Sequence, residues 1–517
     1  MNKENIDKKF KLPRKNLFLN RTGFLLCSSL SHPIFIISII TTIFLLLSFK
    51  TYVTNSEGFY NYLSFIWKKT TIPPYNKIST DSSPGILLIH YISYNLFGFS
   101  IRFTRLISLI ANISATIIIY LTARKIYDKT AALFAMTLAG LSLTWISVSN
   151  QFEAQPDSFM IFFTSCAFLA LTSSKDIRSD RLKYLYLLIT GCFIGCAVMF
   201  KQTAIFSLIG LLLYCLFDTK TTFRKKTVLF VLTGFLLITA TFLALIFLFW
   251  TTPNLYFSNV WLSFLKHEQV SIYKKMALFL DTWRYSEFTF FYPLIFVFII
   301  FRKKFTASSL PYWAIFAWLV CDFIGVNAST FLWGTNYKQI IPSLSIVCGI
   351  SIGFIINSFT TDNRYEKTFL LKIMVTVLIL FIPFRELFFY SSVKNAQHIR
   401  EKDFLFAKWI NQNISKKNRI YILSEKAALI RMIAQTIAPQ DRLPDVTAEL
   451  SPPQKTTQLQ KNFPKFIAIS PENQNNDWLT TILDQQYESI PQEEIFENKY
   501  GFLIYIKKQT EKHRFHE

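Results

Sequence analysis

Long apolar runs recur along most of the chain and constrain its fold more than any other feature. Each run has about the length that crosses the hydrocarbon core of a bilayer as a helix. Hydrophobic residues make up 51% of the 517 residues, more than a soluble domain could cover with polar groups. The sequence therefore predicts an all-α polytopic membrane protein with about eleven transmembrane helices, near 32–50, 105–122, 131–149, 157–173, 184–200, 203–219, 228–250, 285–301, 306–328, 338–358 and 368–390.

Basic residues set the expected orientation of these spans. The basic segment 1–31 predicts a cytoplasmic N-terminus, because Lys and Arg concentrate on the cytoplasmic side of membrane proteins. The span that follows it lacks a small-residue cleavage site and is too long for a signal peptide. Counting spans from this end also places the short basic loops in the cytoplasm; they lie near 124–129, 175–183, 220–226, 302–304 and 364–367.

Two apolar stretches leave the span count open. If the stretch 85–100 crossed the membrane, it would invert everything after it, so we interpret it as an interfacial or membrane-entering segment. Residues 184–219 read as a helical hairpin because Lys201 and Gln202 interrupt an otherwise apolar run.

The net charge of +23 does not indicate a nucleic-acid partner, because the excess follows the loops between spans instead of forming one basic face. All seven cysteines lie in or beside apolar runs. We interpret them as packed residues of helices, and we predict neither a disulfide framework nor a zinc site.

The C-terminal part of the chain differs from the rest. A helical pattern at 404–414 is followed by apolar strand patterns at 419–423, 465–470 and 502–507. This alternation predicts a small soluble α/β domain over 392–517, after a transmembrane domain over 32–391. The odd number of spans places this domain on the side opposite the N-terminus.

Acidic and basic residues with catalytic potential collect on that opposite side. Glu57 follows the first span in a segment rich in aromatic residues and proline. A carboxylate there can act as a general base, and it can equally be a solvated loop acid. The other predicted members of the group include Asp81, Glu153, Asp157 and Lys201. For Asp157 the alternative role is to stabilise the N-terminus of a helix, and for Lys201 it is to snorkel toward the headgroups.

Several short motifs occur in an order that resembles the GT-C glycosyltransferases that use polyprenyl-phosphate sugars. These include the protein O-mannosyltransferases, the lipid A aminoarabinose transferases and the lipopolysaccharide galacturonosyltransferases. The resemblance covers roughly residues 32–345, and its motifs are Glu57 with Tyr60, Pro74-Tyr75, Ser83-Pro84-Gly85, Phe97-Gly98, Arg105-Leu106-Ile107-Ser108, the segment Gln151 to Asp157, Phe200-Lys201-Gln202 and Asn336-Tyr337-Lys338-Gln339.

The resemblance implies roles for individual residues. Glu57 would be the catalytic base, and Asp157 would orient the sugar or the first loop. Lys201, Tyr337 and Lys338 would contact the donor, with the two ammonium groups serving its phosphate. Asp81 and Glu153 are expected near the same substrate.

The sequence departs from the family pattern at two places. Ser56 stands where many relatives have Asp, and Ser82-Ser83 stand where many have a Lys-Pro pair. The expected phosphate-binding lysine is therefore missing, and Lys77 is a candidate to replace it.

The implied function is transfer of one sugar from a polyprenyl-phosphate donor to a lipid, glycan or protein acceptor, with inversion at the anomeric carbon. The site and the C-terminal domain are expected outside the cytoplasm, in a bacterial inner membrane. No cofactor is required by the pattern, although a divalent metal remains open. The alternatives are a carrier or flippase for a lipid-linked sugar and a catalytically inactive family member. A carrier would favour polar residues at mid-membrane and paired halves.

Overall fold

The computed structural model describes residues 33–50, 55–75, 80–98, 101–143, 153–217, 224–250, 256–262, 312–328, 334–359, 405–414, 420–423, 464–470, 477–489 and 502–508, with short pieces at 271, 273, 276–277, 294–295, 297–300, 403, 430–431 and 434. Apolar helices dominate the first 359 residues. They are α1 (Pro33–Lys50), α2 (Asn55–Thr70), α3 (Pro84–Phe97), α4 (Ile101–Ile126), α5 (Lys129–Leu143), α6 (Pro156–Ser174), α7 (Asp180–Phe200), α8 (Ala204–Phe217), α9 (Arg224–Phe249), α10 (Tyr312–Ala328) and α11 (Ile341–Phe359).

Five helices within the described ranges are long and apolar enough to cross a membrane. They cover the predicted spans at 105–122, 157–173, 184–200, 228–250 and 338–358. The predicted spans at 32–50, 131–149, 203–219 and 306–328 correspond to the shorter helices α1, α5, α8 and α10. Of the span at 285–301 only residues 294–295 and 297–300 are described, and they are helical. The basic segment 1–31 and the span at 368–390 lie outside the described residues.

Both ambiguous stretches have a definite local structure. The first, 85–100, forms α3, whose 14 residues extend about 21 Å at 1.5 Å per residue. Helix α8, which corresponds to a predicted span, has the same number of residues, so length does not distinguish α3 from the spans and the interfacial location of 85–100 stays a prediction. The second, 184–219, is divided into two helices, because α7 ends at Phe200 and α8 begins at Ala204, and the break includes Lys201 and Gln202 as predicted.

Helices α7 and α9 pack with their backbones in close contact. A Cβ atom added at Gly234 on α9 would lie 2.0 Å from the carbonyl oxygen of Leu188 on α7. A Cβ atom added at Gly191 on α7 would lie 1.9 Å from the carbonyl oxygen of Val231 on α9. Each glycine therefore permits a close approach that any side chain would block.

We expect Gly234→Val to destabilise the folded protein by about 1–3 kcal/mol, because the added atoms force the two backbones apart. The measurement is the thermal unfolding midpoint of the purified protein in detergent. Ala240→Val is the matched control, since Ala240 lies on the same helix but is exposed. Equal midpoints for the two variants would contradict the close packing of α7 against α9.

The C-terminal domain contains a four-stranded sheet in the order β1-β2-β4-β3. Its strands are β1 (Ile420–Leu423), β2 (Phe466–Ile469), β3 (Tyr487–Ser489) and β4 (Leu503–Lys507), with α12 (Asp477–Gln486) preceding β3. Strands β1 and β2 are parallel, while β4 pairs antiparallel with β2 and β3. Side chains of 405–414 cover one face and those of α12 cover the other. The sheet confirms the predicted α/β domain.

Candidate active site

Glu57 lies on the first turn of α2, so the segment after the first span is a helix where the sequence suggested a loop. Its side chain is 0% exposed. The guanidinium of Arg105 on α4 donates to both carboxylate oxygens, with Nη2 2.6 Å from Oε2 and Nε 2.9 Å from Oε1. Bidentate hydrogen bonds between a guanidinium and a carboxylate are strong and directional. The pair therefore fixes the start of α2 against α4.

The segment 153–157 is held against helices α4 and α3 by one side chain from each. Ser108 on α4 donates to the carbonyl oxygen of Glu153 at 2.9 Å. The Nε2 atom of His90 on α3 lies 3.3 Å from the carbonyl oxygen of Ala154 and must donate to it, because a carbonyl only accepts. Burial lowers the pKa of His90 to about 4, although the bond to Ala154 works in the other direction. His90 is therefore neutral at physiological pH.

Tyr60 marks the point where the acids of the site converge. Burial of its phenol raises its pKa well above the ordinary value, and the carboxylates of Asp81, Asp157 and Glu153 raise it further. A hydrogen bond with Ser82 acts in the opposite direction. The phenol consequently stays protonated and can serve as a hydrogen-bond donor beside these carboxylates.

Tyr75 anchors the segment that carries Asp81. Its hydroxyl donates to the carbonyl oxygen of Ser82, and its ring packs against Trp250 and Tyr256. Its backbone has φ of 65°, a conformation that is uncommon for a bulky residue and needs surrounding support. The side chain of Asp81 is exposed next to this anchor.

A close contact brings the start of α3 to the end of α7. A Cβ atom at Gly85 would lie 2.8 Å from the carbonyl oxygen of Met199 and 3.0 Å from the ring of Phe200. Glycine is therefore required at this position for α3 to approach the turn that begins at Lys201. The residues just before Gly85, which include Asp81, are thereby brought toward that turn.

Lys201 forms a partly buried ion pair with Asp157. Its ammonium nitrogen lies 2.7 Å from Oδ1 of Asp157 and 2.7 Å from Oδ1 of Asn336. The side chains of Lys201 and Asp157 are 17% and 6% exposed. Much of the Lys201 charge is therefore already compensated by protein groups.

Lys338 is a second buried cation close to Lys201 and Asp157. It is 2% exposed, and its ammonium nitrogen has no hydrogen-bond partner within the described ranges. The charged groups that act on it are Asp157, Glu153 and Lys201. A buried ammonium without hydrogen bonds is costly, so this position indicates a binding site for an anion.

The structure thus brings together most of the residues that the sequence singled out. Glu153 is fully buried and accepts a hydrogen bond from Gln155 at 2.8 Å. Tyr337 is buried, and its hydroxyl lies 3.2 Å from Oδ1 of Asn327 on α10. Lys77 lies outside the described residues.

Three partners in the site were not singled out as site residues. Arg105 belonged to one of the quoted motifs, but its contact with Glu57 joins residues 48 positions apart. His90 lies in an apolar run without any local signal, whereas Asn336 is the first residue of the quoted motif with Tyr337 and Lys338. Their contacts come from helix packing, which spacing along the chain does not reveal.

In the part of the chain that the structure describes, no group of three or more His, Cys, Asp and Glu side chains is arranged to hold a metal ion. A requirement for a divalent metal accordingly stays untested. Transfer assays with and without EDTA measure it directly.

Comparisons with known proteins concern the fold and one segment of the sequence. A family model for dolichyl-phosphate-mannose-protein mannosyltransferase matches residues 81–245. The fold is similar to that of ArnT from Cupriavidus metallidurans, with TM-scores of 0.66 for its apo state and 0.63 for its undecaprenyl phosphate complex. In both cases identity is 14%, and the match covers 94% of this chain and 98% of ArnT.

A second fold match is the archaeal oligosaccharyltransferase AglB from Archaeoglobus fulgidus, in complex with an inhibitory peptide and a dolichol-phosphate. Its TM-score is 0.53 at 12% identity, over 95% of this chain and 75% of AglB. No curated protein sequence matches the chain. The family model thus matches the segment 81–245, and the solved structures show a similar fold at 12–14% identity.

Proposed function

We propose that this protein transfers one sugar from a polyprenyl-phosphate donor to a lipid, glycan or protein acceptor at the outer face of a bacterial inner membrane, with inversion at the anomeric carbon. The buried ammonium of Lys338 is the observation that carries the proposal. It lies beside the Lys201–Asp157 pair, and its nitrogen lacks a hydrogen-bond partner among the described residues. A phosphodiester supplies the missing negative charge and acceptor oxygens.

The lipid part of the donor is supported by the fold matches. ArnT was crystallised with undecaprenyl phosphate, and AglB was determined with a dolichol-phosphate. Both ligands combine a polyprenyl chain with a phosphate. We propose that a ligand of this class binds here, with its phosphate at Lys338 and its polyprenyl chain among the apolar helices.

The chemical step needs a base for the acceptor and cations for the leaving phosphate. We propose Glu57 as the base, with one condition that the geometry imposes. Both of its oxygens accept hydrogen bonds from Arg105 and its side chain is 0% exposed, so an acceptor hydroxyl or amine has to enter this buried site to reach a carboxylate oxygen. We propose Asp157 as the second catalytic residue, which would orient the sugar; its ion pair with Lys201 supports this proposal.

Binding of undecaprenyl phosphate, compared with undecaprenol, tests the proposal. The two lipids share their polyprenyl chain and differ in the phosphate, so the ratio of their dissociation constants measures recognition of the anion. We call this ratio the phosphate preference. A charged hydrogen bond contributes about 1.5–3 kcal/mol, which corresponds to a preference of about ten- to a hundredfold. Equal binding of the two lipids by the purified protein would refute the proposed donor class.

The location of the C-terminal domain is a separate prediction. Since the number of spans predicted from the sequence is odd, we expect a reporter fused after residue 400 to lie outside the cytoplasm. Alkaline phosphatase, which is active only outside the cytoplasm, should be active there, and green fluorescent protein, which is fluorescent only inside, should be dark. The opposite pattern would contradict the topology and would make 85–100 a true span.

A further inference from the structure

A buried carboxylate connects three helical segments next to the anion site. Asp322 on α10 is 0% exposed. Its Oδ1 atom accepts a hydrogen bond from Ser207 on α8 at 2.5 Å and another from Gln339 at 3.1 Å. Gln339 belongs to the 3₁₀ helix Gly334–Ile340, which leads into α11.

Gln339 extends this connection to the turn between α7 and α8. Its Nε2 atom also donates to the carbonyl oxygen of Thr203 at 3.0 Å, and its Oε1 atom accepts from the hydroxyl of Thr203 at 2.6 Å. Thr203 bonds both ends of the amide, so the side chain has little freedom to rotate. We call Asp322, Gln339 and Thr203 the amide clamp.

The two residues held by the amide clamp are close neighbours of the two cations. Thr203 follows Lys201 by two positions, and Gln339 directly follows Lys338. The cations lie on chain segments that are 137 positions apart: Lys201 is in the turn between α7 and α8, and Lys338 is in the 3₁₀ helix. Their ammonium groups can face one phosphate only if something fixes the two segments relative to each other.

We propose that Asp322 is a positioning residue, which acts through Gln339 and Thr203 to hold Lys201 and Lys338 around one anionic group. This inference rests on the proposed function, since it assumes that the anion is the donor phosphate. Asp322 itself does not touch the substrate. Its contribution is the rigid placement of charges that binding and catalysis both require.

The free-energy cost of burying the carboxylate of Asp322 supports a role for this residue beyond packing. Besides Ser207 and Gln339, the indole of Trp318 is a hydrogen-bond donor next to this carboxylate, but moving a carboxylate from water into the protein interior still costs free energy that such bonds repay only in part. Apolar residues of similar volume commonly hold helices together at least as well. A residue such as Asp322, which lowers the stability of the fold but orders a neighbouring site, is expected where function constrains the sequence.

The test compares Asp322→Asn with Asp322→Ala in the purified full-length protein. The asparagine oxygen can accept the same two hydrogen bonds, whereas alanine accepts none. We expect Asp322→Asn to keep the phosphate preference within about threefold and Asp322→Ala to lose at least about tenfold, the size of one charged hydrogen bond. Binding of undecaprenol should be unchanged in both variants, because the amide clamp does not serve the lipid chain.

Two more variants make the test independent of folding. Gln339→Met keeps a similar side-chain volume but removes both the amide donor and the amide acceptor, so its phosphate preference should fall as much as that of Asp322→Ala. If the Asp322→Ala protein does not fold, Gln339→Met serves as the test variant in its place. Asn357→Ala is the control, because it breaks another hydrogen bond made by the α11 segment, to Asp128 at 3.1 Å, far along the helix from Gln339. It should retain the full phosphate preference.

Three outcomes would overturn the inference. Full phosphate preference in Asp322→Ala and Gln339→Met would show that the amide clamp does not order the cations. Equal losses in Asp322→Asn and Asp322→Ala would show that the charge of Asp322 matters instead of its hydrogen bonds. Absence of any preference in the wild-type protein would remove the proposed function together with this inference, whereas the first two outcomes leave the proposed function intact.

Discussion

Replacing Glu57 with glutamine is expected to abolish sugar transfer. The change removes a proposed base and also leaves Arg105 buried, with its charge opposite a neutral amide. Breaking a buried ion pair in this way costs about 3–5 kcal/mol of stability. Loss of transfer in this single variant therefore has two sufficient causes, and the measurement has to include the thermal unfolding midpoint as well as product formation from a polyprenyl-phosphate sugar.

The double variant Glu57→Gln with Arg105→Met separates these causes. It is neutral on both sides, so no buried charge is left without a partner, and we expect the unfolding midpoint to recover much of the loss. Transfer should remain absent if Glu57 is the base. If the double variant transfers sugar at a rate near that of the wild-type protein, Glu57 serves only to position α2, and Asp157 or Asp81 becomes the candidate base.

Asp176→Asn is the matched control for the change from carboxylate to amide. Asp176 also pairs with a cation, Lys125, but its side chain is 69% exposed. Exposed ion pairs contribute little to stability because water and salt screen them. This variant should keep both transfer and the unfolding midpoint, which would assign the effects at Glu57 to its buried site.

The fold was largely predictable because its main signals are local. A run such as 228–250 is apolar over its whole length, and the helix Arg224–Phe249 follows from that composition alone. The strands at 420–423, 466–469 and 503–507 were also predictable, because apolar residues concentrate there between polar segments. Strand β3 and helix α12 were not predicted, since Tyr487–Ser489 is three residues long with two exposed positions.

The candidate site was predictable only in part, for a physical reason. Motif order identified Glu57 and Lys338, but a motif does not reveal what a side chain contacts. Arg105 meets Glu57, and His90 meets Ala154, through the packing of helices that are distant in sequence. The difference between Lys201, which is paired, and Lys338, whose nitrogen lacks a partner among the described residues, likewise required the structure.

That difference leads to contrasting predictions for the two lysines. We expect Lys338→Met to raise the activation free energy of transfer by about 2–3 kcal/mol, because the leaving phosphate gains charge as the bond to the sugar breaks and then loses a cation that stabilises it. Without donor, the same variant should unfold at an equal or higher temperature, since methionine removes a buried and poorly compensated charge. A gain in stability with a loss of activity is typical of a residue kept for function.

Lys201→Met should also slow transfer, but it should lower the unfolding midpoint, because it leaves the carboxylate of Asp157 buried without its partner at 2.7 Å. Adding Asp157→Asn should restore the midpoint by removing that unpaired charge, while transfer stays slow.

Combining Lys201→Met with Lys338→Met should cost less than the sum of the single losses if both cations serve one phosphate. The measurements are kcat, KM and the unfolding midpoint of purified protein with a polyprenyl-phosphate sugar. If both single variants keep the wild-type rate and donor affinity, the phosphate binds elsewhere, and Lys77 is the next residue to replace.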